Sequence, residues 1–89
     1  MTKLEILLEH YPDSELLKAD GFDDAILGVA DIKNGEQVLV YSITKSVEIL
    51  ITRDKMNKED AEEYFYFNVE GAYMGKKTPI WVDDWAFYE

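Results

Sequence analysis

The stretch Ala25-Ile26-Leu27-Gly28-Val29-Ala30-Asp31-Ile32, followed after Asn34-Gly35 by Gln37-Val38-Leu39-Val40-Tyr41-Ser42-Ile43, decides the fold class. Both runs are rich in Ile, Leu and Val, which suit a pleated, half-buried surface. Asn34-Gly35 supplies residues that tolerate the positive φ angles of a tight type I′ turn. The reading is an antiparallel β-hairpin. Helical patterns lie on either side of it, so the expectation is a small single α+β domain over residues 1–89, with the hairpin packed against two main helices.

Working outward, Ser42 or Thr44 is placed to cap a helix running to about Asp54, with Val47, Leu50 and Ile51 as its inward stripe and Ile49 widening it. Met56-Asn57 breaks that pattern, and Asn57 caps a longer helix over Lys58 to Met74. There Ala61, Tyr64, Phe65, Val69, Ala72 and Tyr73 recur at the i, i+3, i+4 spacing of one face. Glu59, Asp60, Glu62 and Glu63 sit near the positive end of that helix, and Lys76 and Lys77 beyond Gly75 complement its negative end. Thr78 to Val82 reads as a last short strand. Pro79, which donates no backbone hydrogen bond, assigns it to a sheet edge. Toward the amino terminus, Leu4, Leu7, Leu8 and Tyr11 share a helical face that Pro12 ends, and Asp13 caps a second helical turn carrying Leu16 and Leu17 and closed by Asp20-Gly21.

The composition bounds the function. There are 19 acidic and 9 basic residues among 89, a net charge of −10, with 47% apolar content and no cysteine. Without cysteine there are no disulfides, thiol nucleophiles or thiolate metal sites, and a reducing cytoplasm is the expected location. The amino-terminal residues lack the basic start and long apolar run of a secretion signal, and no segment has membrane-spanning length. The charge disfavours direct binding to nucleic acid or to an anionic membrane. A domain of this size has an expected radius of gyration of about 12 Å. Duplex DNA would present roughly 18 phosphates across such a globule, more than ten net charges match unless they gather on one side.

Chemistry-bearing groups are few. His10 stands alone on an early helix, a surface position. Asp23-Asp24, Glu59-Asp60, Glu62-Glu63 and Asp83-Asp84 are adjacent pairs, and neighbours along a strand point to opposite faces, so Asp23 and Asp24 do not converge as a general acid and base would. No calcium-loop or phosphate-loop spacing is present, and no cofactor or metal is expected. Asn68 interrupts the apolar stripe of the long helix. A buried amide there needs its hydrogen bonds met, by nearby backbone or at a pocket or interface. Tyr66 and Phe67 are surplus to what so small a core can cover, and exposed aromatics beside acidic residues favour a protein interface.

The pieces Phe22-Asp23-Asp24-Ala25-Ile26-Leu27-Gly28-Val29, Arg53-Asp54-Lys55-Met56, Glu63-Tyr64-Phe65-Tyr66-Phe67-Asn68-Val69-Glu70-Gly71-Ala72-Tyr73-Met74-Gly75 and Thr78-Pro79-Ile80-Trp81 together resemble a family of small acidic proteins common in bacteriophage genomes. The resemblance covers about two thirds of the chain. It implies phage origin and a host-cell cytoplasmic location, with no mechanism to carry over. Asp23, Asp24, Arg53, Asp54, Asn68 and Thr78 are the polar positions within the matching pieces, and an ion pair from Arg53 to Asp23 or Asp24 would account for several of them.

The leading expectation is a non-enzymatic phage accessory protein that binds a host or phage protein through an acidic, aromatic surface including Glu62, Glu63 and Tyr66. Its sharper form is an inhibitor of a nucleic-acid-handling or defence protein. The rival is a small-ligand or metal site around Asp23, Asp24, Arg53 and Asn68. A third reading is a structural homodimer through the aromatic helix face.

Overall fold

The computed structural model describes residues 2–12, 15–32, 36–71, 75 and 77–88. Helix α1 (Lys3–His10) opens the chain. It starts where it does because Thr2 and Glu5 form a reciprocal cap: the Glu5 amide donates to Thr2 Oγ1 at 3.1 Å, and the Thr2 amide donates back to Glu5 Oε1 at 3.4 Å. Leu4 and Leu7 pack half-buried on the core, while Leu8, expected on the same face, is exposed.

The second helical turn expected around Leu16 and Leu17 does not form over the described residues 15–20, and its Asp13 cap lies outside them. Tertiary contacts override the local preference here. The Ala19 amide donates to the Tyr41 hydroxyl at 2.8 Å, and Leu16 and Ala19 pack against the core from an irregular segment. The chain then turns through Gly21, at φ +89°, into a short 3-10 turn (Asp23–Ala25). Gly21 occupies the third position of a turn closed by the Phe22 amide on the Ala19 carbonyl, a place that favours a residue without Cβ.

Strands β1 (Ile26–Asp31) and β2 (Gln37–Ser42) pair antiparallel as expected. The register shifts between Ile26 and Gly28, and Leu27 at this bulge is half exposed. The Asn34-Gly35 turn itself lies outside the described residues. The flanking register sets Asp31 opposite Gln37, and the Ile32 amide donates to the Glu36 carbonyl at 2.8 Å.

Helix α2 (Ile43–Arg53) follows β2 directly, with Ser42 as its cap: the Lys45 amide donates to Ser42 Oγ at 2.9 Å. Just past its end, Lys55 takes a φ of +56°, which lets the Met56 amide reach back to the Leu50 carbonyl. Helix α3 (Lys58–Tyr64) is capped by Asn57, which accepts from the Asp60 amide at 2.8 Å.

The long helix departs from expectation after Tyr64. Phe65–Glu70 is π-helical with Gly71 as its cap, so the expected regular α-helix does not continue past Tyr64, and the last residues assigned to it, 72–74, lie outside the described residues. A π turn holds more residues per turn than the 3.6 of an α-helix, so a stripe read at α spacing does not carry through it. Ala61 and Phe65 remain buried and Val69 half-buried, whereas Tyr64, still within the regular turn, and Asn68 are exposed.

Strand β3 (Ile80–Val82) lies beside β2 in parallel, giving the order β1-β2-β3. This agrees with the edge position expected from Pro79. The parallel direction follows from the crossover through α2 and α3, which returns the chain to the end of the sheet where β2 began. In this register Trp81 lies opposite Tyr41, their rings 4.7 Å apart, and Trp81 also meets Phe65 and Phe22 edge-on at 5.1 and 6.1 Å. Leu39, Leu50, Ala61 and Phe65 complete the buried centre. The radius of gyration is 13.3 Å, close to that expected for one small domain.

Candidate functional site

Arg53 closes α2, and its guanidinium is held locally. Nε and Nη2 donate to the two oxygens of Asp54 at 3.0 and 3.1 Å, Nη1 donates to the Gly21 carbonyl at 2.7 Å, and the group lies 5.5 Å from the centre of the Phe22 ring. The ion pair expected from Arg53 to Asp23 or Asp24 is thus replaced. The adjacent carboxylate offers the planar fork a bidentate fit without a long reach, and Asp23 meets Lys18 instead at 3.8 Å. The hydrogen bond between them raises Arg53 and lowers Asp54 from their ordinary pKa values. Both side chains are well exposed, so solvent screens the pair.

The rival constellation is only partly gathered. Arg53 and Asn68 line one cleft of ≈ 340 Å³ with Lys18, Asp20, Tyr64 and Trp81. Asp23 touches this cleft only through Lys18, and Asp24 faces a separate hollow beside Lys45 and Glu48. Asn68, expected to interrupt a buried stripe, is exposed, on the same outward row as Asp60 and Tyr64. It also borders a broader, more open hollow with Glu63, Asp60 and Phe67. Among the described residues no three His, Cys, Asp or Glu side chains gather to hold a metal ion, and no helix is long and apolar enough to cross a membrane.

Glu62 and Tyr66 come together elsewhere, in a groove of ≈ 520 Å³. One wall is α2, which contributes Ile43, Val47 and Ile51 at four-residue intervals, one face of the helix. The other wall is α3 and the π turn, contributing Lys58, Glu62 and Tyr66 at the same interval. The groove is completed by Asp83 and Trp85, the latter on a short 3-10 turn (Trp85–Tyr88) after β3. The floor is apolar. Among the described residues, Glu48, Glu62 and Asp83 border it against one cation, Lys58. Tyr66 registers the resulting field: partial burial raises its hydroxyl pKa, and the charges of Asp83, Glu62 and Glu70 raise it further.

Asp84 holds the tail in place. Its side chain is buried, and the Thr44 amide donates to Oδ1 at 3.2 Å at the start of α2, where first-turn amides without intrahelical partners and the helix dipole favour a carboxylate. Burial alone would push this carboxyl up, and the hydrogen bonds from Ser42 and Thr44 outweigh it and hold it below its ordinary value. Neither Asp84 nor Trp85 stood out as a site residue from the sequence. The signal was an acidic pair before an aromatic, which means nothing until the partner helix start, forty positions earlier, is known.

Trp85 is 55% exposed, Phe67 79% and Phe87 86%, which leaves substantial aromatic surface facing water. No family model, curated protein or solved structure matches this chain.

Proposed function

We propose that this chain is a non-enzymatic accessory protein, of bacteriophage origin as its motifs imply, that binds a protein partner in the groove between α2, α3 and Trp85. The observation that carries this reading is the pairing of an apolar floor with an acidic border on a surface that also exposes aromatic rings. Such rings are the side chains most often found as interface hot spots, and a carboxylate border steers a positively charged partner. A duplex as long as the molecule's 39 Å principal axis would carry roughly 23 phosphates. The chain's net charge of −10 is under half of that, which favours local capture of a basic segment over imitation of DNA along its length. Inhibition of a nucleic-acid-handling or defence protein follows where the captured segment is the one that grips nucleic acid.

The test is affinity capture from host lysate after nuclease treatment, with the bound protein then purified and titrated against variants. Glu62→Ala with Tyr66→Ala, and separately Trp85→Ala, are expected to weaken binding at least tenfold, and Glu63→Ala, outside the groove, to leave it unchanged. A partner bound equally by all of them defeats the reading. The cleft shared by Arg53 and Asn68 supports a second reading, a small-ligand site. It requires a rise in melting temperature with a nucleotide or divalent-cation panel that Asn68→Ala abolishes.

A further inference from the structure

Resting on the groove as the binding surface, we infer that its occupant is a basic amphipathic α-helix of about two turns, supplied by another protein. The backbone of the groove's walls selects a helix. Both walls are helical, so an extended peptide would find no strand edge along them to pair with. A helix brings its own backbone hydrogen bonds satisfied and needs only a trough for side chains. The trough has the right length: from Ile43 to Ile51 the α2 wall runs about 12 Å at 1.5 Å per residue, a little over two helical turns. Apolar side chains at i, i+4 and i+7 of the incoming helix then meet Val47, Tyr66 and Trp85, and their flanks meet the border.

The charge selects a cation and argues against a second copy of this chain. Glu48, Glu62 and Asp83 stand against Lys58, so Lys or Arg flanking the apolar stripe is paired and Asp or Glu is repelled. A second copy arrives with its own net charge of −10, and its helix α1, already packed on its own core through Leu4 and Leu7, carries Glu5 and Glu9 against Lys3. Self-association through this groove brings like charges together.

The experiment is selection from a displayed library of helical peptides, randomised at every surface position, on the intact protein. Counter-selection uses the charge-reversed variant with Glu48→Lys, Glu62→Lys and Asp83→Lys, and also Trp85→Ala. All four side chains are exposed, so these variants keep the fold, as circular dichroism will verify. The expected result is enrichment of peptides with Lys and Arg in excess of Asp and Glu beside an i, i+4, i+7 apolar stripe. Their affinity falls at least tenfold on either variant and between 50 and 300 mM salt, and a mid-peptide proline abolishes it. Enriched peptides that depend on Trp85 but are neutral, acidic or tolerant of proline overturn the helix and its charge while leaving the groove as a protein-binding surface. No enrichment, or peptides bound equally by the Trp85→Ala variant, overturns the inference. Loss of the lysate partner's dependence on Trp85 removes the underlying reading as well. Sedimentation as a dimer that Trp85→Ala converts to a monomer places a second copy in the groove and also overturns the inference.

Discussion

The Thr44 amide donates to Asp84 Oδ1 at 3.2 Å across forty positions of sequence. This bond joins the end of the chain to the start of α2 and so sets the separation between Trp85 and the Ile43–Ile51 wall of the groove. Ser42 serves both sides of the junction, accepting from the Lys45 amide and hydrogen bonding to the Asp84 carboxylate.

Asp84→Asn is expected to cost about 1–3 kcal/mol at pH 7, because a buried charge-assisted set of hydrogen bonds is replaced by a neutral one. The sign of its pH dependence follows from the depressed pKa. The folded value lies below the unfolded one, about 3.9, so the stabilisation is fully present above that pH and is lost as pH falls through the folded value. Urea melts at pH 7, 5, 4 and 3 should show the wild type and Asp84→Asn converging at the acid end. A gap that widens on acidification contradicts the assignment.

Tyr41→Phe should destabilise by about 1–2 kcal/mol, since it leaves the Ala19 amide without the hydroxyl oxygen that accepts from it. Burial also raises the Tyr41 pKa, so the phenol stays neutral through the physiological range. Hydrogen exchange locates the effect: the Ala19 amide should exchange faster in the variant than in the wild type, with the α2 amides little changed.

The two tryptophans should part company. Trp81, ringed by Phe22, Tyr41 and Phe65, is expected to cost about 3–5 kcal/mol on substitution by Ala. Trp85→Ala, at a site 55% exposed, should move stability by less than about 1 kcal/mol while removing groove binding. Paired chemical melts and binding titrations of the two variants separate packing from function.

Lys55→Gly is expected to stabilise the fold by roughly 1 kcal/mol, because a side chain at φ +56° bears a Cβ clash that glycine lacks. Lys55→Val should do the opposite. Differential scanning calorimetry on the pair would show melting temperatures moving in opposite directions from the wild type.

Much of this fold was legible because its signals are local. The strand runs, the Ser42 and Asn57 caps and the Val47–Leu50 stripe depend on residues within a turn of one another. The predicted helix at Leu16 and Leu17 failed because Tyr41, remote in sequence, takes the Ala19 amide. The expected regular α-helix failed over Phe65–Glu70 because hydrophobic spacing of three and four does not distinguish an α turn from a π turn. Of the candidate site residues, Glu62 and Tyr66 fall together since both lie on one helical row, whereas Glu63, one position on, faces another hollow.

By itself the sequence determined the class of the domain, the strands and the caps, the charge of −10 and the excess of aromatic residues, since these follow from composition and short-range periodicity. Tertiary structure alone decided which carboxylate Arg53 pairs with, the parallel docking of β3, and the meeting of Glu48, Glu62, Asp83 and Trp85 around one groove. The physical reason is reach. A cap or a stripe is settled by neighbours a few ångströms along the chain, and the groove exists only after the crossover has carried Trp85 back to the start of α2 and the buried Asp84 has fastened it there.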